Sequence, residues 1–384
     1  MILPDRINNI VGGLGLQAKY LMKHLQDDYE WSVHGFPGDI PYPGYHEVYN
    51  PLPMISHGGL NGLTCQVSYL ASILSGPKPD LIHVSDYSEY LAGYYASQVL
   101  GVPLVVWMQI SAHLMNQSGV WSARDPRSPD GMAIDRTYRE MELFGLQKAD
   151  HIMHVSLDYK KIYAKIPGLD EKSSYIPNGV DPEEWSEERE GFKKVKLPGS
   201  GRLKLISIGR ITRQKNLEAL LLARIPADID LIFVGAEENA SPELLKAIRL
   251  KSQTRHNIHY IGPRFGQEKV NLLAASDAVI IPSLHECHPI VMHEAMVTGN
   301  VLLTSGAGDM KEVLPRDMAM DCGVTSESIT RALEQLAAMS SEEIEKRKAR
   351  GREVVKEYTW EKAAQKTKEI YDRLIAKSRS KRGK

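Results

Sequence analysis

Ser283-Leu284-His285-Glu286-Cys287-His288-Pro289-Ile290-Val291-Met292-His293-Glu294-Ala295-Met296-Val297-Thr298-Gly299 is the stretch that decides the fold. Directly before it runs Asp277-Ala278-Val279-Ile280-Ile281-Pro282. This short apolar segment, closed by proline, reads as a buried parallel strand ending at Pro282. Ile290 to Thr298 suits a helix, with Gly299 as its stop. A strand therefore opens into a loop and the loop into a helix. In open α/β sheets, ligands bind at this carboxyl end of the strands.

Two carboxylates punctuate the stretch, Glu286 in the loop and Glu294 in the helix. The amides of Ile290 and Val291 fall at the helix start, free to point at an anion. Together these features suit a diphosphate on the helix N-terminus and a polyol held by carboxylates, which is the chemistry of a sugar nucleotide. Surface glutamates on a strand-loop-helix unit are also common, so the remaining motifs must add weight. A hydrolase dyad fits less well. Eight helical positions span about 12 Å, against about 5–9.5 Å for glycosidase carboxyl pairs.

The chain on either side repeats the pattern. Val11-Gly12-Gly13-Leu14-Gly15 precedes a helical segment, Leu16 to Leu25, and only Met1-Ile2-Leu3 stands where a first strand is expected. Strands are expected at Pro79–Asp86, Val102–Gln109, Ala149–Ser156 and Tyr175–Asp181, with helices at Tyr90–Leu100 and Asp135–Lys148. Asn116 to Asp130 is polar and reads as a long functional loop. After Glu183–Gly201, dense in Glu and Lys, a second series begins. Its strands are Leu203–Ile208, Asp230–Gly235, Ile258–Gly262 and Asn300–Thr304, alternating with helices at Leu217–Ala223, Pro242–Gln253 and Gln267–Ala275. Ser326–Met339, Ser341–Tyr358 and Trp360–Ala376 are helical. Alternating strands and helices argue for an α/β chain of two doubly wound Rossmann-like domains facing across a cleft.

Bulk properties narrow the function. With 384 residues, two domains are expected. The net charge of −1 excludes a generalised polyanion binder. Three widely spaced cysteines, Cys65, Cys287 and Cys322, fit neither a disulfide framework nor a metal site, and suit a reducing cytoplasm. No apolar run approaches the ~18 residues of a membrane span. Lys377 to Lys384 is a basic tail, usually a solvated end, whose minority reading is peripheral contact with an anionic surface.

Arg210 and Lys215, five apart on the loop after Leu203–Ile208, could both reach one diphosphate. Asp228-Ile229-Asp230 has a DxD form but stands before its strand, at the end away from the expected cleft, and reads as structural. His113 follows a strand and opens the polar loop, ahead of His83 and Asp86 as a cleft-facing candidate. Trp360 reads as a packing anchor.

Taken in order, the motifs resemble retaining glycosyltransferases of the GT-B fold, in the broad family 4 akin to glycogen and sucrose synthases. The resemblance rests on Gly12-Gly13-Leu14-Gly15, Ile176-Pro177-Asn178-Gly179-Val180-Asp181, Gly209-Arg210 with Gln214-Lys215, and the E-x7-E run from Glu286 to Glu294. It implies a nucleotide-diphosphate sugar as donor, a UDP-sugar first, with no metal or cofactor. Gly13 and Gly15 would approach the β-phosphate and sugar, and Arg210 and Lys215 would hold the diphosphate. Glu286 would lie near the transferred sugar, Glu294 on the ribose, and Ile290 and Val291 would offer amides. The acceptor-side catalytic position falls either to His113, on a shifted loop, or to Gln109 in place of the usual histidine. Residues 1–185 would form the acceptor-side domain, 186–201 a linker, 202–358 the donor domain, 359–376 a helix crossing back and 377–384 the tail. The acceptor stays open between glycan, small molecule, lipid and modified nucleic-acid base. Three departures stand out: His288-Pro289 where Phe-Gly is usual, Asn300 where proline is usual, and Gln109 where a histidine is usual. A sugar-nucleotide 2-epimerase and a degenerate nucleotide-sugar binder share the architecture.

Overall fold

A computed structural model describes residues 1–3, 13–35, 45–48, 61–85, 87–117, 129–185, 193, 195–236 and 240–382. The chain divides into two compact units, one of residues 1–178 with 360–384 and one of residues 179–359. Both are parallel sheets covered by helices.

Unit 2 carries β8 (Leu203–Ile208), β9 (Ile229–Val234), β10 (Ile258–Tyr260), β11 (Ala278–Ile281), β12 (Val301–Thr304) and β13 (Ala319–Asp321) in the order β10-β9-β8-β11-β12-β13. Its helices are α7 (Leu217–Leu222), α8 (Pro242–Thr254), α9 (Gly266–Ala274), α10 (Ile290–Thr298), α11 (Met310–Val313), α12 (Ser326–Ala338) and α13 (Ser341–Val355). The period of two along each strand feeds two cores. From β9, Leu231 and Phe233 enter one core with Leu244 and Leu333, while Ile232 and Val234 enter the other with Val270 and Met296. Strands buried on both faces must be apolar throughout, which is why β11 and β12 read as continuous Val, Ile and Leu. The strand order reverses between β8 and β11, so this is the topological switch point.

Unit 1 carries β1 (Ile2–Leu3), β2 (Trp31–Gly35), β3 (Tyr45–Val48), β4 (Ile82–Val84), β5 (Leu104–Met108), β6 (His151–His154) and β7 (Ser173–Tyr175) in the order β3-β2-β1-β4-β5-β6-β7. Its helices are α1 (Gly13–Leu25), α2 (Asn61–Ser75), α3 (Tyr90–Leu100), α4 (Ala112–Gln117), α5 (Pro129–Lys148), α6 (Leu157–Tyr163) and α14 (Trp360–Arg382). The two-residue stub β1 is central and pairs in parallel with β2 and β4. Trp360 is buried and stacks on Tyr20 with ring centroids 5.2 Å apart, so it is the packing anchor its position suggested.

Several expectations are corrected. Gly13 and Gly15 lie inside the first turn of α1, not before the helix, and Gly12 is outside the described residues. The strand expected at Tyr175–Asp181 ends at Tyr175. Ile176 N–H still donates to His154 O at 2.9 Å, but Pro177 has no N–H to continue the ladder, and Val180 pairs in an isolated bridge with Thr359. The described part of the 186–201 segment lies in unit 2, where Leu197 joins the core. The last helix runs to Arg382, six residues into the expected tail. No proline or glycine interrupts it there, and Arg379 pairs with Asp80 at 3.1 Å. Of the polar loop, Asn116 and Gln117 are in α4, Pro129 and Asp130 are in α5, and 118–128 lie outside the described residues, as does Asp86.

Candidate functional site

The carboxyl ends of β8 and β11 bring the expected donor-side residues together. Gly209, at φ 147°, ends β8 in a conformation that favours glycine. Arg210 then extends outward, exposed, with its guanidinium 3.4 Å from Gln214 Oε1. A single helical turn, Arg213–Lys215, closes on Asn216 in the left-handed region at φ 52°. The strain is compensated: Asn216 Nδ2 donates to the Pro282 and Val324 carbonyls at 3.0 and 2.8 Å. This turn aims Lys215 at the β11 loop. Its ammonium lies 2.5 Å from Glu286 Oε1, which also accepts from Ser283 Oγ at 2.7 Å. The two loops are further tied by Leu284 N–H to Gln214 O and Gln214 Nε2 to His285 O, at 2.9 and 3.0 Å. Arg210, Lys215, Ser283 and Val291 line one recess at the switch point.

Pro289 is the N-cap of α10. Ile290 and Val291 are its first two residues, so their N–H groups have no acceptor within the helix. Gly299 caps the other end at φ 75°. Glu294, in the second turn, is buried. Its Oε1 takes Lys269 Nζ from α9 at 2.6 Å, while its Oε2 is buried with no hydrogen-bond partner. A buried carboxylate oxygen without a donor is costly, and a ligand hydroxyl would satisfy it. Lys269 escaped the sequence reading because only the packing of α9 on α10 brings it to Glu294. The two glutamates are held by different lysines, in keeping with separate contacts to one ligand.

One departure acquires a physical reason. Asn300 is a staple: its Nδ2 donates to Leu273 O, Ser276 O and Ser276 Oγ at 3.0, 2.8 and 2.9 Å. Asp230 is structural. It takes Lys204 Nζ at 2.5 Å and Gly201 N–H at 2.7 Å, and these bonds hold its carboxyl below the usual range although burial opposes them. No group of three or more His, Cys, Asp or Glu with metal-holding geometry occurs among the described residues.

In unit 1, His113 sits on α4 with Nδ1 2.9 Å from Asp135 Oδ1. Behind it lies buried Glu142, which accepts from Ser111 Oγ, Tyr163 OH and His113 N–H at 2.9, 2.6 and 3.1 Å. Burial pushes the Glu142 carboxyl up, against the opposing pull of these bonds. Gln109 ends β5 buried, with its Nε2 unpartnered. His113, not Gln109, lines the recess shared with Asp135, Arg136 and Arg139. His83 is a core residue of β4, where its Nδ1 meets the hydroxyl of Tyr371 from α14. No helix among the described residues is long and apolar enough to cross a membrane.

Comparison with known proteins gives the class. Residues 11–184 match the family model described as Glycosyltransferase Family 4, and residues 188–368 match that for glycosyl transferases group 1. Alpha-maltose-1-phosphate synthase of Mycolicibacterium smegmatis is 25% identical, over 96% of this chain and 97% of its own. Sucrose-phosphate synthase from Thermosynechococcus elongatus superposes with a TM-score of 0.80 at 18% identity, over 98% of each chain. HepE of Anabaena, solved with UDP-glucose, gives 0.71 at 18% identity over 97% of this chain and 99% of its own. The chain is a family 4 glycosyltransferase with the GT-B fold.

Proposed function

We propose that the protein moves a sugar from a nucleotide-diphosphate sugar, a UDP-sugar first, to an acceptor hydroxyl with retention at the anomeric carbon and without a metal. The observation that carries this reading is the Lys215 ammonium 2.5 Å from Glu286 at the switch point, beside the start of α10. Arg210, Lys215 and the Ile290 and Val291 amides hold the diphosphate, Lys215 exchanging Glu286 for a phosphate oxygen. The bond from the anomeric carbon to the β-phosphate oxygen breaks and its electron pair stays on that oxygen. Charge thus develops where fixed donors point, the arrangement that lowers a barrier most. The acceptor oxygen bonds to the same face of the carbon, and its proton passes to the leaving phosphate. Glu286 receives the sugar's hydroxyls, and Glu294 Oε2 those of the ribose. Gly13 and Gly15 leave room for backbone approach to the β-phosphate, and His113, oriented by Asp135, serves the acceptor. The widely spaced cysteines support a cytoplasmic setting.

The test incubates the protein with UDP-glucose, ADP-glucose and GDP-mannose in EDTA, over a panel of hydroxyl acceptors. Nucleotide release and product configuration are followed by NMR. Acceptor-dependent release from one donor with an α-configured product is expected. A β-configured product would overturn retention, and an isomerised donor formed without acceptor would identify an epimerase instead.

A further inference from the structure

Two histidines of the Glu286–Glu294 stretch have no part in the transfer just described. His288 Nδ1 lies 3.1 Å from Asp309 Oδ2, with both side chains wholly buried. His288 Nε2 lies 2.7 Å from His293 Nε2, and the rings meet edge to edge with centroids 4.8 Å apart. His293 stacks in turn on Tyr358 at 5.0 Å. The result is a column, Asp309–His288–His293–Tyr358, running beside the loop that carries Glu286.

Two ring nitrogens 2.7 Å apart need one proton between them, since two lone pairs repel and two N–H groups clash. One assignment satisfies every buried N–H of the two rings. His288 donates Nδ1–H to Asp309 and accepts His293 Nε2–H at its own Nε2. His293 Nδ1 is then a bare lone pair, which agrees with its burial without a hydrogen-bond partner. Burial also holds His293 well below the ordinary histidine range, and therefore neutral.

Asp309 grips the loop twice. Its carboxylate takes His288, and its backbone N–H donates to Cys287 O at 3.2 Å. One residue earlier, Gly308 at φ +59° lies so close that an added Cβ would stand 2.2 Å from the Glu286 carbonyl oxygen. The other end of the column is fixed as well: Tyr358 N–H donates to Val355 O at 2.9 Å and Tyr358 O accepts Val180 N–H at 3.0 Å. Core packing alone would be met by apolar rings, without an acid and a directed proton.

We propose that Asp309, His288 and His293 are positioning residues for Glu286, a hydrogen-bonded relay that fixes the Glu286–His288 backbone so that the Glu286 carboxylate stays in register with Lys215 and Ser283. The role in turnover rests on the proposed transfer; the clamp itself does not. A misplacement of about 1 Å at a reacting group costs on the order of 100-fold in rate, which sets the expected effect.

The test uses H288F, which keeps an aromatic ring and removes both hydrogen bonds, and the two half-mimics H288N and H288Q, which retain an amide near Nδ1 or Nε2. Amide hydrogen exchange is read across 284–290 without nucleotide, and kcat and KM are read with UDP-glucose as the probe donor. H288F is expected to speed exchange in 284–290 while the β8–β12 amides stay protected, and to lower kcat about 100-fold with KM nearly unchanged. H288N, keeping the Asp309 bond, recovers part of both losses and more than H288Q. Unchanged exchange and near-normal kcat in H288F would overturn the proposal, as would exchange rising uniformly across unit 2. Should the wild type not turn over UDP-glucose, the transfer reading fails on that probe, and the exchange result alone decides the clamp.

Discussion

At the carboxyl end of the sheet in unit 2, acids meet amines: Lys215 on Glu286 and Lys269 on Glu294, at 2.5 and 2.6 Å. In unit 1 the buried acid, Glu142, meets hydroxyls and backbone amides. The first arrangement keeps partly exposed cations beside carboxylates, which under the proposed function would give an arriving diphosphate positive charge already placed. The second fixes the entry to α4, and with it His113, through neutral donors rather than a paired cation. Glu286 and Glu294 of unit 2 are therefore matched by cations, and Glu142 of unit 1 by neutral donors that hold a neighbouring side chain in place.

The sharpest way to break this comparison is K215A. It removes a cation from the phosphate and leaves buried Glu286 without its amine. Nucleotide release from UDP-glucose, followed in a coupled assay, is expected to fall by about 10²–10³, about 3 kcal/mol in the barrier. Near-normal turnover would remove Lys215 from the chemistry. A smaller effect is expected from K269M, which frees Glu294 from its partner and from its fixed position. Donor dissociation constants measured by calorimetry should rise about tenfold, with kcat at saturation much less affected.

Acid separates the units further. Burial lowers His34, His83 and His154 in unit 1 from 6.5 to about 3, and His151 to about 4. In unit 2 only His285 and His293 among the described residues are lowered, so the larger acid penalty falls on unit 1. A base with a depressed folded pKa contributes stability that is complete above its unfolded value and is lost as pH falls through the folded one. Melting temperature should therefore drop from about pH 6.5 downward, with hydrogen exchange in β2, β4 and β6 rising before that in β8 and β9. Equal acceleration in both units would contradict the comparison. The smallest effect belongs to E142Q. The folded Glu142 pKa is raised, so its contribution is complete below the ordinary carboxylate value of 4.5 and is lost as pH rises through the folded value. E142Q should gain in melting temperature over wild type between pH 5 and 8, by roughly a few degrees at most.

The donor side of the molecule was legible because its chemistry is contiguous. Strand, loop, Glu286, helix start and Glu294 fall within 277–299, and Gly209 to Lys215 follow a strand directly. What was not legible depends on long-range packing. Lys269 reaches Glu294 only once α9 lies on α10, and Asp309 reaches His288 only through the loop after β12. The strands β2 and β3 and the helix α2 were passed over between 26 and 78. In β2, Trp31-Ser32-Val33-His34-Gly35 carries too few apolar residues to stand out, and its histidine is buried only because Ser72 Oγ takes Nδ1 at 2.9 Å. The stub β1 is central because neighbours on both sides pair with it, which two residues cannot announce by themselves.

The most direct test of the central claim is calorimetric titration of UDP in EDTA against wild type, R210A, K215A and D228N. Binding without metal is expected, weakened about tenfold or more by R210A and by K215A and unchanged by D228N, whose Asp228 pairs with Arg202 at 3.4 Å away from the recess. Binding that requires magnesium, is abolished by D228N or is indifferent to both cations would contradict it.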